Sequence, residues 1–355
     1  MQQREKGMKR VGLVGVTGYT GMELVRVLLG HPDMRLTRVT SRKEAGRMLR
    51  DIYPFLHGMD AGEIRIAAPD SGFLAEHCDL VFLAVPHGAA MEMAAELREK
   101  GARVVDLSAD FRLRNRETYE SWYKQKHTRP EMLSEAVYGL PELYAREIAE
   151  ADLVANPGCY PTSAILALYP ALRAGLISGD DLVIDSKSGT TGAGRGASVG
   201  TLFCEVSDTF RAYNLGRHRH TPEIEQELSL AAGKDIRLSF NTHLLPINRG
   251  ILTTAYARLS AGAGLEQIRS CYEEFYAHAG WVRLLPDGVL PETRWVRGTN
   301  FCDIGLVVDP RTDRLIAVSA IDNLCRGASG QAVANANLML GLEERSGLPF
   351  APLIP

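Results

Sequence analysis

Arg10–Leu29 reads RVGLVGVTGYTGMELVRVLL. Its first part, Arg10–Val16, is apolar and β-patterned, and its last, Gly21–Leu29, repeats apolar residues at helical spacing. Between them lies the turn Gly15-Val16-Thr17-Gly18-Tyr19-Thr20-Gly21, with its glycines in GxxGxxG order. Glycine permits the tight bend, and the N–H groups that open the helix suit a dinucleotide pyrophosphate. The spacing departs from strict GxGxxG, so the turn points to a Rossmann-type opening more firmly than to a ligand.

The pattern continues outward. Arg35–Thr40, Asp79–Val85, Arg103–Leu107 and Asp152–Ala155 read as short apolar strands, with a helix over Ala89–Lys100 and a polar, irregular stretch over Arg112–Glu135. Apolar strands separated by helices predict an α/β domain, a parallel sheet covered on both faces. A cofactor without a 2′-phosphate meets an Asp or Glu at the end of the second strand. Here the chain has Ser41, Arg42 and Lys43 instead, which favours NADP over NAD.

After residue 156 the texture changes. Helical patterns over Ser163–Ala174, Thr221–Ala232 and Leu265–His278 alternate with β-patterned segments at Asp181–Ser186, Ile236–Leu245, Gly250–Leu259, Asn300–Val308 and Arg314–Ala320. Long strands joined by turns predict a second, α+β domain built on a mostly antiparallel sheet with helices on one face. The apolar helix over Ser329–Gly341 is expected to return to the first domain. The expected division is a cofactor-binding domain over 1–155, completed by a C-terminal helix over 328–345, and a catalytic, oligomer-forming domain over 156–327.

Composition narrows the class. The chain has 355 residues, is 45% hydrophobic and 23% charged, and carries a net charge of −3. Its cations are spread along the sequence, so neither nucleic acid nor a membrane surface is an expected partner. Six cysteines stand far apart with no CxxC pair, so no disulfide framework and no metal site is expected, and the chain reads as cytoplasmic. The basic MQQREKGMKR before an apolar run has the outline of a signal peptide, but VGLVGVTGYTG is studded with glycine and lacks a cleavage site. Residues before Met8 are expected to form a disordered extension. No apolar run approaches the ~20 residues of a membrane helix.

The chemistry centres on NPGCYPTS, Asn156–Ser163. Proline is favoured at the first position of a helix, so Pro161 is expected to start one just after Cys159. The helix N-terminus then lowers the thiol pKa and favours thiolate, and Gly158 leaves room for a substrate. A nucleophile needs a group to manage protons, and His218-Arg219-His220 supplies two candidates before Thr221-Pro222-Glu223, read as an N-cap threonine opening a helix. Spacing does not say which histidine acts. Ser186–Arg195 (SKSGTTGAGR) is rich in hydroxyls and exposed amides and carries Arg195, a pattern suited to a phosphate or carboxylate. Arg112 follows the Arg103–Leu107 strand and is placed at the carboxyl edge of the sheet, where ligands bind.

Taken together these pieces resemble the N-acetyl-gamma-glutamyl-phosphate reductase family, relatives of the aspartate-semialdehyde dehydrogenases. GVTGYTGMELVRVLLGHP, LAVPHG, DLSADFRL, YGLPEL, NPGCYPTS, SGTTGAGR, HRHTPEI, LLPINRGIL, GTNFCDIG and SAIDNLCRGASGQAVANAN occur in order from Val11 to Asn337. NPGCYPT and HRHTPE are the specific ones. Thr191 stands where the family more often has serine, and Arg326 where it often has lysine.

The resemblance implies an NADP-binding Rossmann domain, a glyceraldehyde-3-phosphate-dehydrogenase-like C-terminal domain and a homodimer or homotetramer. It also implies reductive dephosphorylation of an acyl phosphate through a cysteine thioester. Cys159 is the expected nucleophile, with His218 or His220 as acid and base. Arg112, Ser188, Gly189, Thr191, Gly192 and Arg195 are expected at the substrate, with Tyr213 and Glu223 as further positioning candidates. Gly15, Thr17, Gly18, Tyr19, Thr20, Gly21, Ser41, Arg42, Lys43 and Pro86 are expected at the cofactor, and the resemblance places Asn323 and Gly327 beside its nicotinamide. A reductase for a carrier-bound aminoadipyl or glutamyl phosphate is the nearest alternative, but no basic entrance is legible. A non-enzymatic NADP sensor would need neither the thiol nor the paired histidines.

Overall fold

The structure, a computed structural model, describes residues 7–354. The extension expected before Met8 lies, but for Gly7, outside the described residues. The chain divides into two compact units, Met1–Pro157 with Ala328–Leu348, and Gly158–Gly327 with Pro349–Pro355.

The first unit is built on a parallel six-stranded sheet. Its strands are β1 (Lys9–Val14), β2 (Met34–Thr40), β3 (Leu80–Leu83), β4 (Arg103–Asp106), β5 (Val137–Tyr138) and β6 (Leu153–Ala155), in the order β2-β1-β3-β4-β6-β5. Val11, Leu13, Val81, Phe82, Leu83, Val104 and Val105 are fully buried, as strands covered on both faces require. The connecting helices include α1 (Tyr19–Leu29), α2 (Ser71–His77), α3 (Met91–Glu99), α4 (Arg116–Tyr123) and α5 (Pro141–Glu150). Helix α4 falls in the stretch read as irregular. Asn115 caps it, its side chain accepting from Thr118 N at 2.7 Å, and only Tyr119 of its residues is buried, which left too thin an apolar stripe to read.

A buried polar knot sits where β4 ends. Asp106 accepts from Ser108 N and Oγ at 2.9 and 2.7 Å. Asp110 accepts from Gly88 N, Ala90 N and the Tyr119 hydroxyl at 2.7, 3.1 and 2.8 Å, tying the loop after β3 to the loop after β4. Burial, then the charge of Asp110, pushes Asp106 up to about 7. A carboxyl raised in the folded state stabilises fully only below its unfolded pKa and loses that stability as pH rises through the folded value. Asp106→Asn is therefore expected to raise the melting temperature at pH 8 by about 2–4 °C or more, with the gain shrinking toward pH 4. Thermal unfolding across that range checks both the sign and the window.

The second unit carries a mixed seven-stranded sheet. Strands β7 (Leu182–Ser188), β8 (Arg211–Tyr213), β9 (Leu238–Leu244), β10 (Ile251–Arg258), β11 (Val282–Leu284), β12 (Cys302–Asp309) and β13 (Arg314–Ile321) run in the order β11-β12-β13-β10-β7-β9-β8. Most pairings are antiparallel; β7–β9 and β11–β12 are parallel. The helices are α6 (Cys159–Arg173), α7 (Thr221–Ala232) and α8 (Leu265–Phe275).

Helix α6 packs on β10 and β13 through a fully buried hydroxyl seam. Ser163 Oγ lies 2.9 Å from Thr253 Oγ1 and 2.7 Å from Ser319 Oγ, and Ser186 Oγ lies 2.8 Å from Thr253 Oγ1. Pro170 lies inside α6 and has no N–H to give the carbonyl of Leu166. The Tyr276 hydroxyl donates to that carbonyl at 2.7 Å, and Tyr272 donates to Ala167 O at 2.5 Å. A proline that would weaken an isolated helix is thus accommodated by two tyrosines at and just beyond the end of α8. Helix α9 (Gly330–Met339), almost wholly buried, belongs to the first unit, where Gln331 and Asn335 both donate to Gly139 O at 2.9 Å.

Candidate active site

Cys159 is the first residue of α6 and half-buried, with Gly158 as the N-cap. The helix starts two residues earlier than Pro161 suggests. The first helical N–H groups have no intrahelical partner in any case, so proline at the third position costs nothing there. Thr162 closes the turn, its N–H and Oγ donating to Gly158 O at 3.0 and 2.9 Å. The buried Glu223 accepts the Gly158 N–H at 2.8 Å. Glu223, expected at the substrate, is thus engaged with the backbone beside the thiol and links the starts of α6 and α7. On the other side, a Cβ placed on Gly327 would come within 2.6 Å of Cys159 Cβ. Gly327, expected at the cofactor, leaves the space that the cysteine fills.

Aromatic and imidazole rings gather around the next residue. Tyr160 is buried, and its hydroxyl lies 2.7 Å from that of Tyr213. Its ring meets those of His218 and His220 edge-on at 5.3 and 6.0 Å, and the two histidines lie 4.9 Å apart. Burial, followed by Arg219, lowers His218 to about 4. Its Nδ1 accepts the His220 N–H at 3.1 Å, so the neutral ring carries its proton on Nε2. Burial pushes Tyr213 up to about 12 and Tyr160 higher still, so both remain protonated. Helix α7 begins at Thr221, with His220 rather than the expected threonine in the N-cap position. Tyr160 was missed as a site residue, because only the fold brings Tyr213 to it.

The Ser188–Arg195 loop is seated on residues 247–250: Gly189 N donates to Gly250 O at 2.9 Å, Thr190 N to Ile247 O at 2.8 Å and Thr191 N to Asn248 O at 3.3 Å. The Ser188 hydroxyl donates to Gly189 O, and that of Thr191 to Asn248 O at 2.6 Å. Gly192 N donates to Gly189 O at 3.4 Å. Arg195 is exposed. Asn323 completes the clamp, accepting from Gly250 N at 2.8 Å and donating to Thr191 Oγ1 at 2.9 Å. Arg112, in the first unit, is buried and donates to Asn156 O and Leu107 O at 2.7 and 2.9 Å.

The turn after β1 fits a dinucleotide. Gly15 has φ +86°, and a side chain there would strike the carbonyl of Ala84; one on Gly21 would come within 2.6 Å of the Gly15 and Val16 carbonyls. Gly18, the N-cap of α1, brings no capping side chain, and a Cβ there would meet only the Gly15 carbonyl, at 3.9 Å, an opening of the kind a pyrophosphate requires. Thr17, Tyr19 and Thr20 are partly buried around it, Ser41 is buried, and Arg42, Lys43 and Pro86 are exposed. Among the described residues no cluster of metal-ligating side chains occurs, and no helix is long and apolar enough to cross a membrane.

Known proteins share both the parts and the whole. Residues 10–151 match the model of the semialdehyde dehydrogenase NAD binding domain, and residues 159–323 that of the semialdehyde dehydrogenase dimerisation domain. N-acetyl-gamma-glutamyl-phosphate reductase of Pelotomaculum thermopropionicum is 52% identical over 346 residues, 98% of this chain and 99% of that one. The chain belongs to the N-acetyl-gamma-glutamyl-phosphate reductase family. The protein of that name from Desulfotalea psychrophila is 51% identical, covering 98% of this chain and all of its own length.

Solved structures extend the likeness of fold at low identity. Aspartate semialdehyde dehydrogenase II of Vibrio cholerae superimposes with a TM-score of 0.72 at 16% identity, covering 94% of this chain and 99% of that one. The Candida albicans aspartate semialdehyde dehydrogenase, solved with NADP, gives 0.68 at 17%, covering 94% and 98%. The family's first unit binds a nicotinamide cofactor, and its second is a homo-oligomerisation domain.

Proposed function

We propose that this chain reduces N-acetyl-glutamyl 5-phosphate to N-acetyl-glutamate 5-semialdehyde with release of phosphate, using NADPH, as a step of arginine biosynthesis in the cytoplasm. The observation that carries the reading is the half-buried Cys159 at the first turn of α6, backed by Gly327 and next to Tyr160, whose ring two histidines flank. The acyl group is taken from relatives at 52% and 51% identity. Ser41, Arg42 and Lys43, with no acid among them, support the 2′-phosphorylated cofactor.

Ionised Cys159 attacks the acyl carbon, the bond from that carbon to the phosphate oxygen breaks, and phosphate leaves with the electron pair to give a thioester. The Cys159 and Tyr160 amides at the positive end of α6 are the donors assigned to the oxyanion, since Pro161 has no N–H and Glu223 holds that of Gly158. Arg112 and Arg195 are the cations assigned to the substrate's anionic groups, and Tyr213 orients them through Tyr160. When bound in the Gly15–Gly21 turn, the cofactor supplies a hydride, the two electrons that take the thioester to a thiohemiacetal. Cleavage of the carbon–sulfur bond then frees the aldehyde and returns the thiolate. His220 is assigned the proton transfers. The lone pair at His218 Nδ1 is already committed to the His220 N–H, and burial holds that ring neutral.

Phosphate-dependent reduction of NADP by the purified protein tests the whole reading. N-acetyl-glutamate semialdehyde should turn over far faster than aspartate semialdehyde, and NADP should outperform NAD; equal rates with the two aldehydes would overturn the substrate. In the same assay His220→Asn should lose about 10²–10⁴-fold in kcat and His218→Asn clearly less. A larger loss for His218→Asn reverses the assignment.

A further inference from the structure

A carboxyl at the third position of a helix ordinarily turns back to the N–H of its own N-cap residue. Glu223 holds that position in α7, but the N–H of the His220 N-cap goes to His218 Nδ1 at 3.1 Å. The Glu223 carboxyl reaches across to α6, 65 positions back along the chain, where Oε1 accepts the Gly158 N–H at 2.8 Å. It does so almost wholly out of water, at 1% exposure. Burying a carboxyl opposes folding unless its partners compensate, so stability alone is a weak reason for its place here. What the bond supplies is geometry.

That geometry passes to the thiol through Gly158. Glycine has the freest backbone of any residue, so restraint on it must come from its neighbours. Glu223 holds its N–H, and the Thr162 N–H and hydroxyl hold its carbonyl at 3.0 and 2.9 Å. Two successive peptide planes are thereby fixed, and with them the direction in which Cys159 leaves the chain. At the other end of the bond, Glu223 lies three residues after His220, whose carbonyl accepts the Ile224 N–H at 3.1 Å. One side chain therefore ties the start of the nucleophile's helix to the start of the helix that carries the histidine.

We propose that Glu223 is a positioning residue of the reaction, which sets the Cys159 sulfur against His220 and contacts neither substrate nor cofactor. The proposal rests on the reading of Cys159 as nucleophile and His220 as proton-transfer group. Positioning acts on kcat, because moving a reacting atom by about an ångström costs about 10²-fold. A substrate contact made equally in the ground and transition states acts on KM.

Two variants separate these cases. Glu223→Gln keeps an acceptor for the Gly158 N–H, and Glu223→Ala removes it. In the phosphate-dependent assay Glu223→Ala should lose about 10²-fold in kcat with little change in the KM for the aldehyde, and Glu223→Gln should recover most of that loss. Hydrogen exchange at the Gly158 amide, resolved to the residue by fragmentation in mass spectrometry, follows the bond without any substrate. That amide should stay protected in the parent and in Glu223→Gln, and should exchange about tenfold or more faster in Glu223→Ala. A raised KM with parental kcat in Glu223→Gln overturns the proposal in favour of a substrate contact, whether or not the alanine variant folds. So does a glutamine variant as slow as the alanine one, or an alanine variant with parental kcat. A parent inactive on N-acetyl-glutamate semialdehyde would strike the substrate reading alone. Equal protection of the Gly158 amide in all three proteins would overturn the proposal even then.

Discussion

Cys159→Ser is expected to lower turnover by roughly 10³–10⁶-fold, the range seen when a covalent nucleophile is removed. Serine matches cysteine in shape, and the contacts that seat this residue are made by its neighbours: Glu223 on the Gly158 amide, Thr162 on the Gly158 carbonyl, Gly327 against the Cβ. The melting temperature should therefore hold. A hydroxyl at this position stays protonated near neutral pH, so acyl transfer fails before any reduction begins. Two readouts isolate the cause: cofactor affinity unchanged by titration, and no acyl adduct on the protein by mass spectrometry after mixing with acyl phosphate. Parental turnover in the variant would remove the thioester from the mechanism.

Gly327→Ala is expected to cost about 10²-fold in kcat with a smaller change in KM, the penalty of moving a reacting atom by something like an ångström. The added methyl would sit 2.6 Å from Cys159 Cβ and 3.1 Å from its Cα, with Ile321 at 3.4 Å behind it. No flexible side-chain tip is available to yield, so the helix start must shift. Overpacking of this kind also destabilises by about 1–3 kcal/mol. The discriminating measurement is the pH dependence of Cys159 alkylation, which reports the surroundings of the sulfur and does not respond to global stability while the protein stays folded. A variant with parental kcat and an unaltered alkylation profile would show that the glycine is dispensable.

Much of this molecule is legible in its chain. The strand, glycine turn and helix of Arg10–Leu29 announce a parallel sheet because apolar period and backbone freedom are local properties, and β1, α1 and β2 fall where those properties put them. The mostly antiparallel sheet of the second unit is legible for the same reason. What escaped is non-local or very short. Strands β5, β8 and β11 have two or three residues each, too few for a period to register. That residues 247–250 take the Gly189, Thr190 and Thr191 amides of the Ser188–Arg195 loop is not visible in its sequence. Glu223 reads as a free carboxylate until Gly158, 65 positions away, is seen to donate to it. The start of α6 was misplaced for a different reason: proline is tolerated at several first-turn positions, so it marks a helix entry only to within a turn.

Helix α9 has a consequence for how the chain is made. The first unit holds it almost wholly buried, and the Gly139 carbonyl waits there for Gln331 and Asn335. Yet 170 residues of the other unit, Gly158–Gly327, lie between Pro157 and that helix. At roughly 5–20 residues per second a ribosome needs about 10–35 s to cross them. For that interval the nascent Rossmann sheet stands with an apolar trough unfilled.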